Sequence, residues 1–195
     1  VALYYSCTTT SATWEVKNLT VKEGQVEATE DNEPEAPETT EGLFSESFDN
    51  SLGNFTIKNV KEATGLDGEV WQYSSQYTCA KATSYTGGTG GQNIPTESWL
   101  ISPAIDLSTA TSPVLAFEHA ANYFTNVSND VTVWITDATA ENWVKLDVPT
   151  YPTSFTFVNS GDIDLTSYVG KSVKIGFKYV CESKAGTYEL KNLTI

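Results

Sequence analysis

The stretch KSVKIGFKYVCESKAGTYELKNLTI, residues 171–195, decides how the rest of the chain is read. Val173, Ile175 and Phe177 recur at every second position, the period of a strand with one face buried. No long helical period competes with it. Toward the N-terminus, SFTFVNSGDIDL, NWVKLDVP, NDVTVWITDA, SPVLAFEHAANY and ESWLISPAIDL have the same length and texture, and Val131, Val133 and Ile135 repeat the alternation. Short strands at this spacing, punctuated by Gly, Pro, Asn and Asp, predict an all-β, antiparallel sandwich or jelly roll.

Composition agrees. Of 195 residues 39% are hydrophobic, enough for one sizeable core plus an appendage, while 18% are charged and Met is absent. No apolar run approaches the ~20 residues of a membrane helix, so no membrane insertion is expected. A formal net charge of -14 repels phosphate backbones and argues against nucleic acid as a partner.

The end of that stretch has a double. VALYYSCTTTSATWEVKNLTV, residues 1–21, aligns without a gap on residues 175–195. Tyr5, Cys7, Thr13, Glu15, Lys17, Asn18, Leu19 and Thr20 match Tyr179, Cys181, Thr187, Glu189, Lys191, Asn192, Leu193 and Thr194. Self-similarity at a fixed offset marks a repeat. Residues 1–21 therefore read as the last two strands of a preceding copy, and 43–195 as one complete copy. Neighbouring copies of the same repeat are the first expected partners. Residues 22–42, rich in Glu, Pro and Thr, cannot bury enough apolar surface to fold and read as an acidic extended spacer.

Cysteine arithmetic follows the repeat. Cys7 and Cys181 hold one equivalent position in successive copies, leaving Cys79 as the partner of Cys181 in a disulfide within one copy. Two buried thiols are the alternative. The Ser6–Cys7 pair lacks the basic start and long apolar stretch of a lipoprotein signal.

The order of SWLISPAIDLS, VLAFEHA, DVTVWIT, IDLTSYVGKSVKIGFKYV and TYELKNLTI resembles the choice-of-anchor J domain, related to the cleaved adhesin domain of Bacteroidota surface proteins. The resemblance covers about 150 residues and implies an all-β, antiparallel jelly-roll β-sandwich exported to the cell surface, often within multidomain or repetitive proteins. It implies no single activity. Some members hold a structural calcium between first and last strands, through a Glu near the start and an Asp in a terminal pair. The matching positions are Glu46 and Lys191–Asn192. A lysine ammonium cannot ligate Ca²⁺, so it is expected to replace the metal and pair with Glu46. A calcium elsewhere would use Asp49 or the Asp67–Glu69 loop. No other cofactor is expected.

No catalytic constellation stands out. The single histidine, His119, reads as a strand residue with satisfied ring nitrogens, not as the base of a nucleophile system. Asp67–Glu69 and Asp162–Asp164 sit in turns, where Asp bonds its own backbone. Aromatics are the richer class. Trp71, Tyr73, Tyr123, Trp143 and Tyr151 are candidates for a ligand platform, whereas Trp99 and Trp134, inside the clearest strands, read as core.

The expected function is a non-enzymatic repeat module of an exported bacterial cell-surface protein, serving adhesion or forming stalk or filament material. The alternative is a carbohydrate-binding module of a secreted or surface multidomain protein. The expected outside partner is accordingly a glycan or a host or surface protein.

Overall fold

A computed structural model of the chain describes residues 42–195. The expectations for residues 1–21, for Cys7 and for the spacer up to residue 41 lie outside the described residues. The described strands are β1 (Ser45–Glu46), β2 (Thr56–Lys61), β3 (Trp71–Ser74), β4 (Cys79–Thr83), β5 (Thr96–Ile101), β6 (Ile105–Asp106) and β7 (Val114–Asn122). They continue with β8 (Val131–Asp137), β9 (Val144–Leu146), β10 (Val158–Asn159), β11 (Ile163–Asp164), β12 (Ser172–Cys181) and β13 (Thr187–Thr194). A four-residue helical turn at Val127–Asp130 and a 3₁₀ turn at Thr166–Tyr168 are the described helical elements. Neither is long or apolar enough to cross a membrane, which says nothing of strands.

Two antiparallel sheets result. Sheet A runs β10-β7-β13-β4-β3, with β1 beside β13 and β11 beside β7; sheet B runs β2-β5-β12-β8-β9, with β6 beside β12. β4 pairs with β13 in sheet A, and the strands next inward along the chain, β5 and β12, pair in sheet B. This nesting of pairs across two sheets is the wrapping of a jelly roll. The last two strands are central: β13 lies between β7 and β4, β12 between β5 and β8.

Alternation assigns the faces. Val173, Ile175, Phe177, Tyr179 and Cys181 of β12 point inward, as do Val131, Val133 and Ile135 of β8. Phe117 of sheet A meets Phe177 of sheet B edge to face, 5.2 Å between centroids. Trp71, fully buried, stands opposite the small Ala82, and its indole N–H donates across the sandwich to the Ser98 carbonyl oxygen at 3.4 Å. Three strands end in the same device. Asp106, Asp137 and Asp164 accept the backbone N–H two residues on, from Ser108, Thr139 and Thr166. These bonds hold each carboxyl below its usual range and explain the Asp-x-Ser/Thr signature of the sequence.

Parity also decides the cysteines. Both Cys79 and Cys181 are free thiols, which corrects the expected disulfide. Cys181 points into the core, from sheet B. Cys79 shares the opposite face of sheet A with Lys81, while Ala80 and Ala82 face the core. Side chains one position out of phase leave opposite sides of a sheet, so the two sulfurs belong to different layers. Burial pushes the Cys79 thiol up to about 12 and the Cys181 thiol upward as well.

Candidate functional site

Three of the five tryptophans gather on the face of sheet B turned away from the core. In β5, Thr96, Ser98 and Leu100 are buried, so Glu97, Trp99 and Ile101 face outward. In β8, the inward Val131, Val133 and Ile135 leave Thr132, Trp134 and Thr136 on the outer side. Trp143 precedes β9 and folds over the same surface. Its ring centroid lies 5.3 Å from that of Trp99, and Trp99 lies 5.7 Å from Trp134. All three are half-buried. Trp99 and Trp134 as core residues are thus corrected.

The floor beneath the indoles is Gly176 of β12. A Cβ there would stand 3.0 Å from both Trp99 and Trp143, so the glycine makes the space they fill. Two of the rings are pinned by neighbours on their own strand. Trp99 Nε1–H donates to Glu97 Oε1 at 3.1 Å, and Trp134 Nε1–H to Thr132 Oγ1 at 2.8 Å. Glu97 also meets Lys178 Nζ at 3.0 Å, and that ammonium lies 5.6 Å from the centre of the Trp99 ring. Burial alone would raise the Glu97 carboxyl, but the Trp99 and Lys178 donors more than offset it and hold it below its usual range.

The cross-strand register places lysines around these rings. Trp99 is opposite Lys58 on one side and Lys178 on the other, Trp134 is opposite Lys145, and Thr136 is opposite Lys174. Directly opposed residues have Cβ atoms about 5 Å apart. Lys58 is engaged with Glu141 at 3.8 Å on the exposed rim, while Lys145 and Lys174 have no ion-pair partner among the described residues.

The aromatics expected to form a platform are scattered, with one exception. Trp143 belongs to the cluster. Trp71 is core and meets Tyr188 edge to face at 6.1 Å. Tyr73 is half-buried and donates to the Asp49 carbonyl oxygen. The Tyr151 hydroxyl donates to the Val131 carbonyl oxygen at 3.2 Å, and burial raises it to about 12. Tyr123 is 60% exposed at the far end of β7 and packs on Phe155 at 5.6 Å.

The expected Lys191–Glu46 pair does not form. Lys191 stands opposite Glu118 of β7, with Nζ 3.8 Å from Glu118 Oε2 and 4.1 Å from the centre of the Phe157 ring. Past Lys191 the register shifts at Asn192, which adopts a φ of 50°. Glu46 lies opposite Leu193 beyond this bulge and accepts the Phe48 N–H at 2.9 Å instead. Asp49 and Asp67 are exposed, and Glu69 accepts the Asn59 amide at 2.8 Å. Among the described residues no three His, Cys, Asp or Glu side chains converge as metal ligands. His119 is fully buried: its Nε2–H donates to the Thr150 carbonyl oxygen and its Nδ1 accepts from the Tyr188 hydroxyl, each at 2.9 Å.

Fold and surface together define an antiparallel β-sandwich carrying an aromatic face. Solved structures share that fold. The K2 cleaved adhesin domain of Lys-gingipain is similar with a TM-score of 0.52 at 16% identity, covering 77% of this chain and 96% of that one. The K3 cleaved adhesin domain of Lys-gingipain from Porphyromonas gingivalis has a TM-score of 0.50 at 16% identity, over 78% of this chain and 97% of that one. No protein-family model matches the sequence, and no curated protein does.

Proposed function

We propose that this chain is a non-enzymatic binding module of an exported bacterial surface protein, and that it holds carbohydrate on its tryptophan face. The observation that carries the reading is the cluster of Trp99, Trp134 and Trp143. Large aromatic side chains are ordinarily driven inward, so three on an outer sheet face need a reason. Sugar rings present an apolar C–H face with polar edges, and an indole surface with donors and acceptors at its rim matches both. Pinned indole N–H groups reduce the entropy lost on binding. A shared fold with cleaved adhesin domains supports a surface role.

A glycan array followed by titration of the best ligand tests the reading. Trp99→Ala and Trp134→Ala are each expected to weaken binding at least tenfold while leaving the fold intact. Full retention by both variants removes the platform from the argument.

A second reading concerns assembly. The identities between residues 1–21 and 175–195 support tandem copies joined by acidic spacers, a stalk that multiplies weak contacts by avidity. The denatured mass of the polypeptide from its native source tests it. A mass far above 21.2 kDa, with this sequence internal, is expected.

A further inference from the structure

We infer that the tryptophan face selects an anionic polysaccharide, one whose sugar rings carry carboxylates; the inference rests on the carbohydrate reading above. It is carried by charge placement. The chain has a net charge of -14, yet the outer positions of β2, β5, β8, β9 and β12 around the three indoles carry Lys58, Lys145, Lys174 and Lys178 against the single acid Glu97. Lys61, opposite Glu97, adds one cation, and Glu141 on the rim and Asp106 of β6, opposite Ser172, add two acids, which leaves five lysines against three acids. The face is therefore locally cationic on an acidic protein.

Neither unpaired lysine is needed to neutralise a carboxylate of the fold. Lys145 stands directly across from Trp134, and Lys174 lies two positions along β12 from Gly176, the floor of the cluster. A pyranose ring stacked on an indole would thus have an ammonium within reach of its exocyclic carboxylate. Screening confines the effect to this surface. At physiological ionic strength the Debye length is about 8 Å, so distant acids repel a bound polyanion weakly while adjacent lysines attract it fully. Lysine suits this use, since its ammonium is a flexible point charge that follows successive sugars.

Retention on immobilised polygalacturonate and alginate, beside fully methyl-esterified polygalacturonate and polyglutamate, tests the inference. The ester has the same rings without the charge; polyglutamate has the charge without the rings. The polyuronates are expected to bind roughly tenfold tighter than the ester. Lys145→Gln with Lys174→Gln should erase most of that margin, as should added salt, and leave binding to the ester unchanged. Lys81→Gln with Lys184→Gln changes the net charge equally and is expected to have no effect. Equal binding of ester and polyuronate overturns the inference and leaves the carbohydrate reading standing. Equal binding of polyglutamate overturns it too, since charge alone then suffices. If no polymer is retained and the glycan array is also empty, the carbohydrate reading itself falls.

Discussion

The ring of Trp143 packs 5.3 Å from that of Trp99, directly above a glycine. Gly176 needs no left-handed backbone, so alanine there meets only a steric obstacle. Gly176→Ala is expected to splay both indoles and destabilise the fold by about 1–3 kcal/mol, the usual range for overpacking. Near-UV circular dichroism and tryptophan emission should change together with ligand affinity. A variant with unaltered spectra and affinity would show that the floor of the cluster has slack.

Buried and outer tryptophans should separate by readout. Trp71→Ala removes a fully buried indole and its bond to Ser98, and a loss of about 3–5 kcal/mol in denaturant unfolding is expected. Trp134→Ala, on a half-buried face, should cost less stability and more binding. The reverse ranking would contradict the assignment of faces.

His119 makes stability depend on acid. Burial lowers its pKa from 6.5 to about 4, so the folded ring stays neutral where the unfolded ring protonates. Above pH 6.5 both states are neutral and no penalty applies. As pH falls from 6.5 toward 4, the unfolded state gains a proton first and stability drops, by about 3 kcal/mol in all. Urea midpoints measured at steps across that window give the slope. His119→Gln should flatten the part of the slope lying between pH 6.5 and 5, above the range where most carboxylates titrate.

The cysteines give the sharpest chemical test. Thiols raised by burial are slow nucleophiles, so Cys79 and Cys181 should resist alkylation in the folded protein and react after denaturation. Peptide mapping by mass resolves each site. A Cys79–Cys181 linked peptide from an unreduced digest would falsify the separation of the two layers.

The sandwich was legible in the sequence because its signal is redundant: strand after strand alternates, and turns carry Asp-x-Ser/Thr. The tryptophan face was legible in principle. Once Val131, Val133 and Ile135 are set inward, Trp134 must point away from them. Residue type pulled the other way, because an aromatic within a strand reads as core. β5 offered less help, since its inward positions are Thr96, Ser98 and Leu100, two of them polar. Those small residues make sense only with the second sheet in place, where Ser98 sits beneath Trp71. The disulfide failed for a related reason. Repeat logic counts cysteines along the chain and carries no information about which face of a sheet each one occupies. The Lys191–Glu46 pair failed at a bulge, a one-residue event that alternation does not announce.

The placement of β12 and β13 has a consequence in time. Each is the middle strand of its sheet, and both come from residues 172–194. On a growing chain, β4 and β5 can pair early with β3 and β2, but their other partners, β13 and β12, emerge only with residues 172–194, and neither layer can close before then. Such long loop closures fold slowly. Until then each layer is an incomplete sheet, with one edge of β4 and one of β5 left unpaired and open to any other strand.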